Sequence, residues 1–139
     1  MIVLDTNVLS EVMRAAPAEP VLAWFTRQPA AALYTTAVTQ AEILHGIHRL
    51  PAGKKRTALA NAAETMFAED LRDRVLSFDP AAARAYAVIV TARERAGLPI
   101  TSFDAQIAAI ARVARAAVAT RNVQDFDRCG VAVVNPWTA

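Results

Sequence analysis

The 139-residue sequence has a single cysteine, Cys129, two histidines, and aromatic residues at only 6% of its positions. One cysteine excludes an internal disulfide and any zinc cluster built on several thiolates, and it suits a reducing compartment. His45 and His48 stand three apart and fit no His-Glu-X-X-His pattern, so both read as structural or surface residues. Trp24, Phe25, Tyr34, Phe67 and Phe103 are scattered at core-like positions, which leaves no aromatic platform for stacking single strands. Long apolar runs are missing too. The opening Met1-Ile2-Val3-Leu4 is too short for a signal peptide and has no basic leader, and the stretch from Ile107 to Ala119 is broken by Arg112 and Arg115. A soluble, cytoplasmic protein with no membrane partner is expected. With no repeat, low-complexity tract or linker, residues 1–139 read as a single domain large enough to bury a core without a disulfide or structural metal.

What is present alternates between two periodicities. Short apolar runs at residues 2–4, Ala32–Thr35, Val75–Phe78, Val118–Thr120 and Val131–Val134 predict strands. Between them, helical spacing predicts a helix over Val8–Met13 capped by Thr6 or Asn7, and a second carrying Val21, Leu22, Trp24 and Phe25. Further helices are expected over Thr36–Arg49, Lys54–Ala68 and from Asp79-Pro80 to Ala96, where Gly97 ends the run. Thr101 or Ser102 caps the last helix, in which Phe103, Ile107, Ile110 and Ala114 share one stripe and Asp104, Ala108 and Arg112 a neighbouring face. Strands alternating with helices imply an α/β fold, a three-layer α/β/α arrangement with a short, mainly parallel sheet and right-handed crossovers.

Four acids recur where such a fold builds sites. Asp5 follows the first strand, Glu42 lies in an apolar helical stretch, Asp104 opens a helix, and Asp125 follows a late strand. Each has a plain explanation. Asp5 can cap the first helix, and Thr39-Gln40-Ala41-Glu42 matches a capping box. Asp104 suits the positive end of a helix dipole, and Asp125 lies in a polar loop beside Asp127. These explanations do not predict a common location, whereas a parallel sheet gathers strand ends and helix starts on one rim. Two carboxylates about 5 Å apart repel by roughly 3 kcal/mol at an effective dielectric of 20, so several together call for a divalent cation. Oxygen-only ligands select Mg²⁺ or Mn²⁺ over zinc, and such an ion suits phosphodiester hydrolysis. Setting aside those four of the 13 acidic groups leaves nine against 15 basic ones, about +6, which suits a phosphate backbone.

In order, Ile2-Val3-Leu4-Asp5-Thr6-Asn7-Val8-Leu9-Ser10-Glu11, Thr39-Gln40-Ala41-Glu42-Ile43-Leu44, Asp104-Ala105-Gln106-Ile107-Ala108-Ala109 and Thr120-Arg121-Asn122-Val123-Gln124-Asp125-Phe126 resemble the PIN-domain family, most closely its VapC-type toxins. The likeness runs essentially from end to end. It implies a Mg²⁺- or Mn²⁺-dependent endoribonuclease, the toxin of a toxin–antitoxin pair. Such a protein is expected to be a homodimer, to be inhibited by a cognate antitoxin, and to meet DNA only through that partner. It further implies Asp5, Glu42, Asp104 and Asp125 as the acidic centre, with Asp5 and Asp104 on the metal and Glu42 and Asp125 reaching it directly or through water. Thr6, Asn7 and Thr120 would support them. Asn122 stands where some relatives carry an aspartate, so direct ligation by Asp125 and an orienting role for Asn122 both stay open.

Arg112, Arg115 and Arg121 are the candidate RNA phosphate contacts, Arg112 first because it follows Asp104 by two helical turns, whereas Lys54-Lys55-Arg56 reads chiefly as a solvated face. Haloacid-dehalogenase-type phosphotransferases need an aspartate where this chain has Asn7, and response-regulator receivers need an acid pair that is absent. The stronger alternative is a catalytically weak subunit that binds an antitoxin-like partner in a DNA-binding regulatory complex.

Overall fold

Three consecutive apolar residues suit a strand buried on both faces rather than one with a wet side. In the structure, a computed structural model describing residues 1–139, Ile2–Leu4 form β1, the middle strand of a five-stranded sheet. β2 (Leu33–Thr36) and β4 (Ala117–Ala119) pair with β1 on either side, and β3 (Val75–Leu76) and β5 (Val133–Val134) form the edges. Every pairing is parallel, with Val3 opposite Tyr34 on one side and Val118 on the other. The order β3-β2-β1-β4-β5 reverses direction at β1, so the crevice beyond the carboxyl ends of β1 and β4 is a topological switch point.

Side chains alternate across the sheet and divide the core in two. Val3 and Val118 pack with Ile89, Ile107 and Phe126, against α5 (Pro80–Arg95) and α6 (Ser102–Ala114). Leu4 and Ala119 face the other way, onto Val8, Trp24, Ile43 and Met66 of the layer built from α1 (Thr6–Val12), α2 (Glu19–Arg27), α3 (Ala37–His48) and the end of α4 (Lys54–Thr65). Val3, Leu4 and Val118 are fully buried, each contributing on the order of 1.5–3 kcal/mol. The alanines of α6 let that helix lie close to the sheet, with Ala105, Ala108, Ala109 and Ala111 all buried.

Helices that follow strands are capped at one rim of the sheet. Asp5 caps α1 by accepting from the Thr6 amide, so α1 begins at Thr6, earlier than Thr6 or Asn7 as caps would allow. Thr36 caps α3, accepting from the Thr39 amide. The expected capping box of Thr39 and Glu42 is thereby corrected: Thr39 lies inside the helix, and Glu42 is free for other contacts. Asp79 caps α5 and Thr101 caps α6; each such cap is worth about 1 kcal/mol. The strands at 75–78 and 131–134 shorten to two residues each, since edge strands have a partner on one side only. The helix expected to reach Ala68 closes with a π-turn over Met66–Asp70, bonded from the Leu71 amide to the Met66 carbonyl at 2.8 Å. Phe103, expected in the core, is 53% exposed at the second position of α6, in the helix's first turn. No helix is long and apolar enough to cross a membrane.

Candidate active site

Asp5 is held where β1 ends. Its backbone amide still pairs with the Ala119 carbonyl of β4 at 2.9 Å, and its side chain is only 4% exposed. A buried carboxylate needs donors, and Asp5 has three. The Thr6 amide donates to Oδ1 at 2.8 Å, and the Thr120 hydroxyl and Asn7 Nδ2 donate to Oδ2 at 2.7 and 3.3 Å. Thr120 in turn accepts from Asn7 Nδ2 at 3.2 Å and from the Asn122 amide at 3.1 Å, so its hydroxyl hydrogen is committed to Asp5. Asn7 Oδ1 accepts from the Arg121 amide. These bonds tie the ends of β1 and β4 together and leave part of the lone-pair capacity of Asp5 free.

Glu42 reaches the same rim from α3. The Thr6 hydroxyl donates to Glu42 Oε1 at 2.8 Å and lies 3.1 Å from the Thr39 hydroxyl. Thr6 has one hydrogen to give, and the shorter contact commits it chiefly to Glu42. Thr6 therefore contacts two acids, Asp5 through its amide and Glu42 through its hydroxyl. The same Asp5 carboxylate therefore caps α1 and lies beside the other acids.

Asp104 enters from the first turn of α6, half-buried, its amide donating to the Thr101 hydroxyl. Asp125 lies in a 3₁₀ turn, Val123–Phe126, just beyond β4, its amide on the Asn122 carbonyl. Asp5 lies in the field of each of the other three acids. Burial pushes the Asp5 carboxyl above the ordinary aspartate range; the Thr120 hydroxyl and Thr6 amide oppose this, and the charges of Glu42 and Asp125 add to it. Asp104 is raised by burial and then by the charge of Asp5, with Thr101 opposing and Asp125 adding. An acid cluster whose ionised form is disfavoured in this way favours a cation.

The donor set fits Mg²⁺ or Mn²⁺: carboxylates, hydroxyls and amides, with no thiolate or imidazole at the rim. No three His, Cys, Asp or Glu side chains close a ready-made cage. An ion held here would therefore have one or two carboxylates, with waters completing its shell.

Of the three candidate arginines the structure brings only Arg121 to this rim. Arg121 follows Thr120 directly, and its guanidinium lies over the Trp137 ring at 5.0 Å from the centroid. Arg112 and Arg115 stand at the far end of α6, which runs away from the rim to feed β4. Eight residues of helix carry Arg112 about 12 Å along the axis from Asp104. Its side chain lies against Gly130, where a Cβ would approach Nε to 3.1 Å. Arg115 adopts the left-handed conformation that ends the helix. Two residues escaped the sequence reading, Trp137 and Arg93. Trp137 carries no motif. Arg93 had a signal, an arginine seven residues after Tyr86 and four after Ile89 on the inward face of α5, where a solvated residue does not belong.

A family model described as the PIN domain matches residues 2–131. The VapC ribonuclease Y4jK of Sinorhizobium fredii is 42% identical over 137 residues, which is 99% of this chain and 98% of that protein. Toxin FitB of Neisseria gonorrhoeae is 39% identical over 137 residues, covering 99% of each. The crystal structure of FitAcB from Neisseria gonorrhoeae superposes with a TM-score of 0.94 at 38% identity, covering 100% of both chains.

Proposed function

The chain belongs to the PIN-domain family, and from that premise we propose that it is a Mg²⁺- or Mn²⁺-dependent endoribonuclease, the toxin of a toxin–antitoxin pair. One observation carries the reading: acids separated by up to 120 positions come to one rim of the sheet, where Asp5 lies in the field of Glu42, Asp104 and Asp125. The names of the VapC ribonuclease and FitB relatives, similar over nearly the whole chain, support it.

Asp5 and Asp104 would hold the ion, with Glu42 and Asp125 reaching it directly or through water. When bound, such an ion neutralises charge on a phosphodiester and makes water a better nucleophile. The remaining residues prepare the site. Thr120 and Asn7 hold Asp5 Oδ2, Thr6 aligns Asp5 with Glu42, and the Asn122 amide secures Thr120. Arg121, stacked on Trp137, would take a phosphate next to the acids.

The cognate antitoxin is the proposed protein partner. A groove of about 790 Å³ between α1, α2 and α4, lined by Leu9, Val12, Leu22, Phe25 and Met66, offers the apolar surface that a partner helix covers. Leu22 and Phe25 line this groove, whereas Val21 is in the core. A homodimer, and DNA contact only through the antitoxin, complete the reading on the likeness to the VapC and FitB proteins.

The test uses protein freed of partner. RNA should be cut with Mg²⁺ or Mn²⁺ and not with chelator, and Asp5→Asn or Asp104→Asn should abolish cutting while circular dichroism is unchanged. Cutting that persists in either variant overturns the assignment. Folded wild type that binds Mn²⁺ and cuts no RNA supports the regulatory-subunit alternative instead.

A further inference from the structure

Arg93, near the end of α5, is 4% exposed and the only buried cationic side chain. Burying a guanidinium is costly unless its donors are satisfied, and a paired carboxylate is the usual remedy. Arg93 has none: the one ion pair in the structure joins Arg14 to Glu11. Its partners are four backbone carbonyls. Nε donates to Leu98 at 3.0 Å and Nη2 to Pro99 at 3.0 Å, while Nη1 donates to Gln124 at 3.2 Å and Asp127 at 2.7 Å.

These carbonyls belong to two loops, and each loop presents one of the acids. Leu98 and Pro99 lead into Thr101, the cap of α6, and so into Asp104. Gln124 and Asp127 bracket Asp125 in the turn after β4. No hydrogen bond joins the Asp104 and Asp125 side chains to each other; beside the packing of Phe126 against α6, this fork is the hydrogen-bonded link between their two loops. A planar guanidinium can grip carbonyls on two segments at fixed angles; an ammonium cannot.

We propose that Arg93 is a positioning residue of the active site, clamping the loops of Asp104 and Asp125 at the separation a divalent cation needs. It touches neither substrate nor the reacting atoms. The inference rests on the proposed metal-dependent function, and extends it to a residue outside the acidic cluster.

The full chain tests it with Mn²⁺ as the probe. Arg93→Lys keeps the charge and loses the fork; its Mn²⁺ affinity by calorimetry should fall about 10- to 100-fold, the range typical of groups that orient metal ligands. Arg95→Lys, exposed on the same helix, should bind as wild type does. A folded Arg93→Lys protein with unaltered affinity overturns the proposal, even if the wild type cuts RNA. Wild type that binds Mn²⁺ without cutting RNA overturns the nuclease reading alone, because the affinity comparison still decides for Arg93. Wild type that binds no Mn²⁺ overturns both. Should Arg93→Lys not fold, the wild type decides by nitrogen NMR: the buried Arg93 Nε–H resonance should shift on titration with Mg²⁺. A resonance unmoved at saturation overturns the clamp.

Discussion

The Thr120 hydroxyl donates to Asp5 Oδ2 at 2.7 Å, joining residues 115 positions apart across the ends of β1 and β4. Both groups are buried, and the same hydroxyl oxygen accepts from Asn7 and from the Asn122 amide. Thr120→Val keeps the shape of the side chain and removes all three bonds. It should destabilise the protein by about 1–3 kcal/mol, the cost of leaving buried polar groups unpaired. The Asp5 carboxyl should move further up, because the Thr120 bond is the leading influence holding it down. Denaturant unfolding and carboxyl titration by NMR measure both, and Thr120→Ser should restore them.

Asp5 and Asp104 are raised above the ordinary aspartate value of about 3.9. The folded state therefore binds these protons more tightly than the unfolded state does. The stability they contribute is fully present below the ordinary value and is lost as pH rises through the raised ones. Metal-free wild type should lose melting temperature over that window relative to Asp104→Asn, and Mg²⁺ should restore it above the window, more in wild type than in the variant. Parallel melting curves for the two proteins from about pH 4 to about pH 8 would count against a shared site.

Glu42 and Thr36 should separate function from folding. Thr36 is the cap of α3, and Thr36→Ala should cost about 1 kcal/mol. Glu42→Gln leaves the cap untouched and still accepts from Thr6; stability should change by less than about 0.5 kcal/mol while RNA cleavage falls at least tenfold. If the stability losses were reversed between the two, the original capping-box reading of Glu42 would return.

Arg121 and Arg112 make opposite predictions for RNA. Arg121→Ala should weaken binding of single-stranded RNA and flatten its salt dependence by about 0.7 in the log–log slope, one phosphate's worth. Arg112→Ala should leave the slope unchanged, since its side chain lies against Gly130 at the other end of α6. Titrations at several salt concentrations measure both; equal slopes in the two variants would remove Arg121 from the phosphate path.

The acids were legible because they sit beside strong local signals. Asp5 ends an apolar run, and Asp104 opens a helix with a threonine cap. The regular elements followed from periodicity, with errors at edges: β3 and β5 are shorter than their apolar runs because pairing on one side supports fewer residues. Glu42 was legible as an acid in a helix, but its pattern with Thr39 suggested a cap that Thr36 in fact provides. Helical spacing favoured Arg112 as two turns from Asp104 on a neighbouring face, but those turns are the roughly 12 Å that carry it away from the rim. Arg93 was invisible as a clamp, since its partners are backbone carbonyls, which no side-chain pattern encodes.

Local chemistry along the chain was enough to determine an alternating α/β order and to single out four carboxylates at strand ends and in helices. Where those carboxylates meet was decided only by the tertiary structure. The reversal of strand order at β1 brings the ends of β1 and β4 side by side, and a single buried guanidinium bonds carbonyls of the loop before α6 and of the loop after β4. Parallel pairing and long-range hydrogen bonds join segments more than a hundred residues apart, a relationship that no window of neighbouring residues contains.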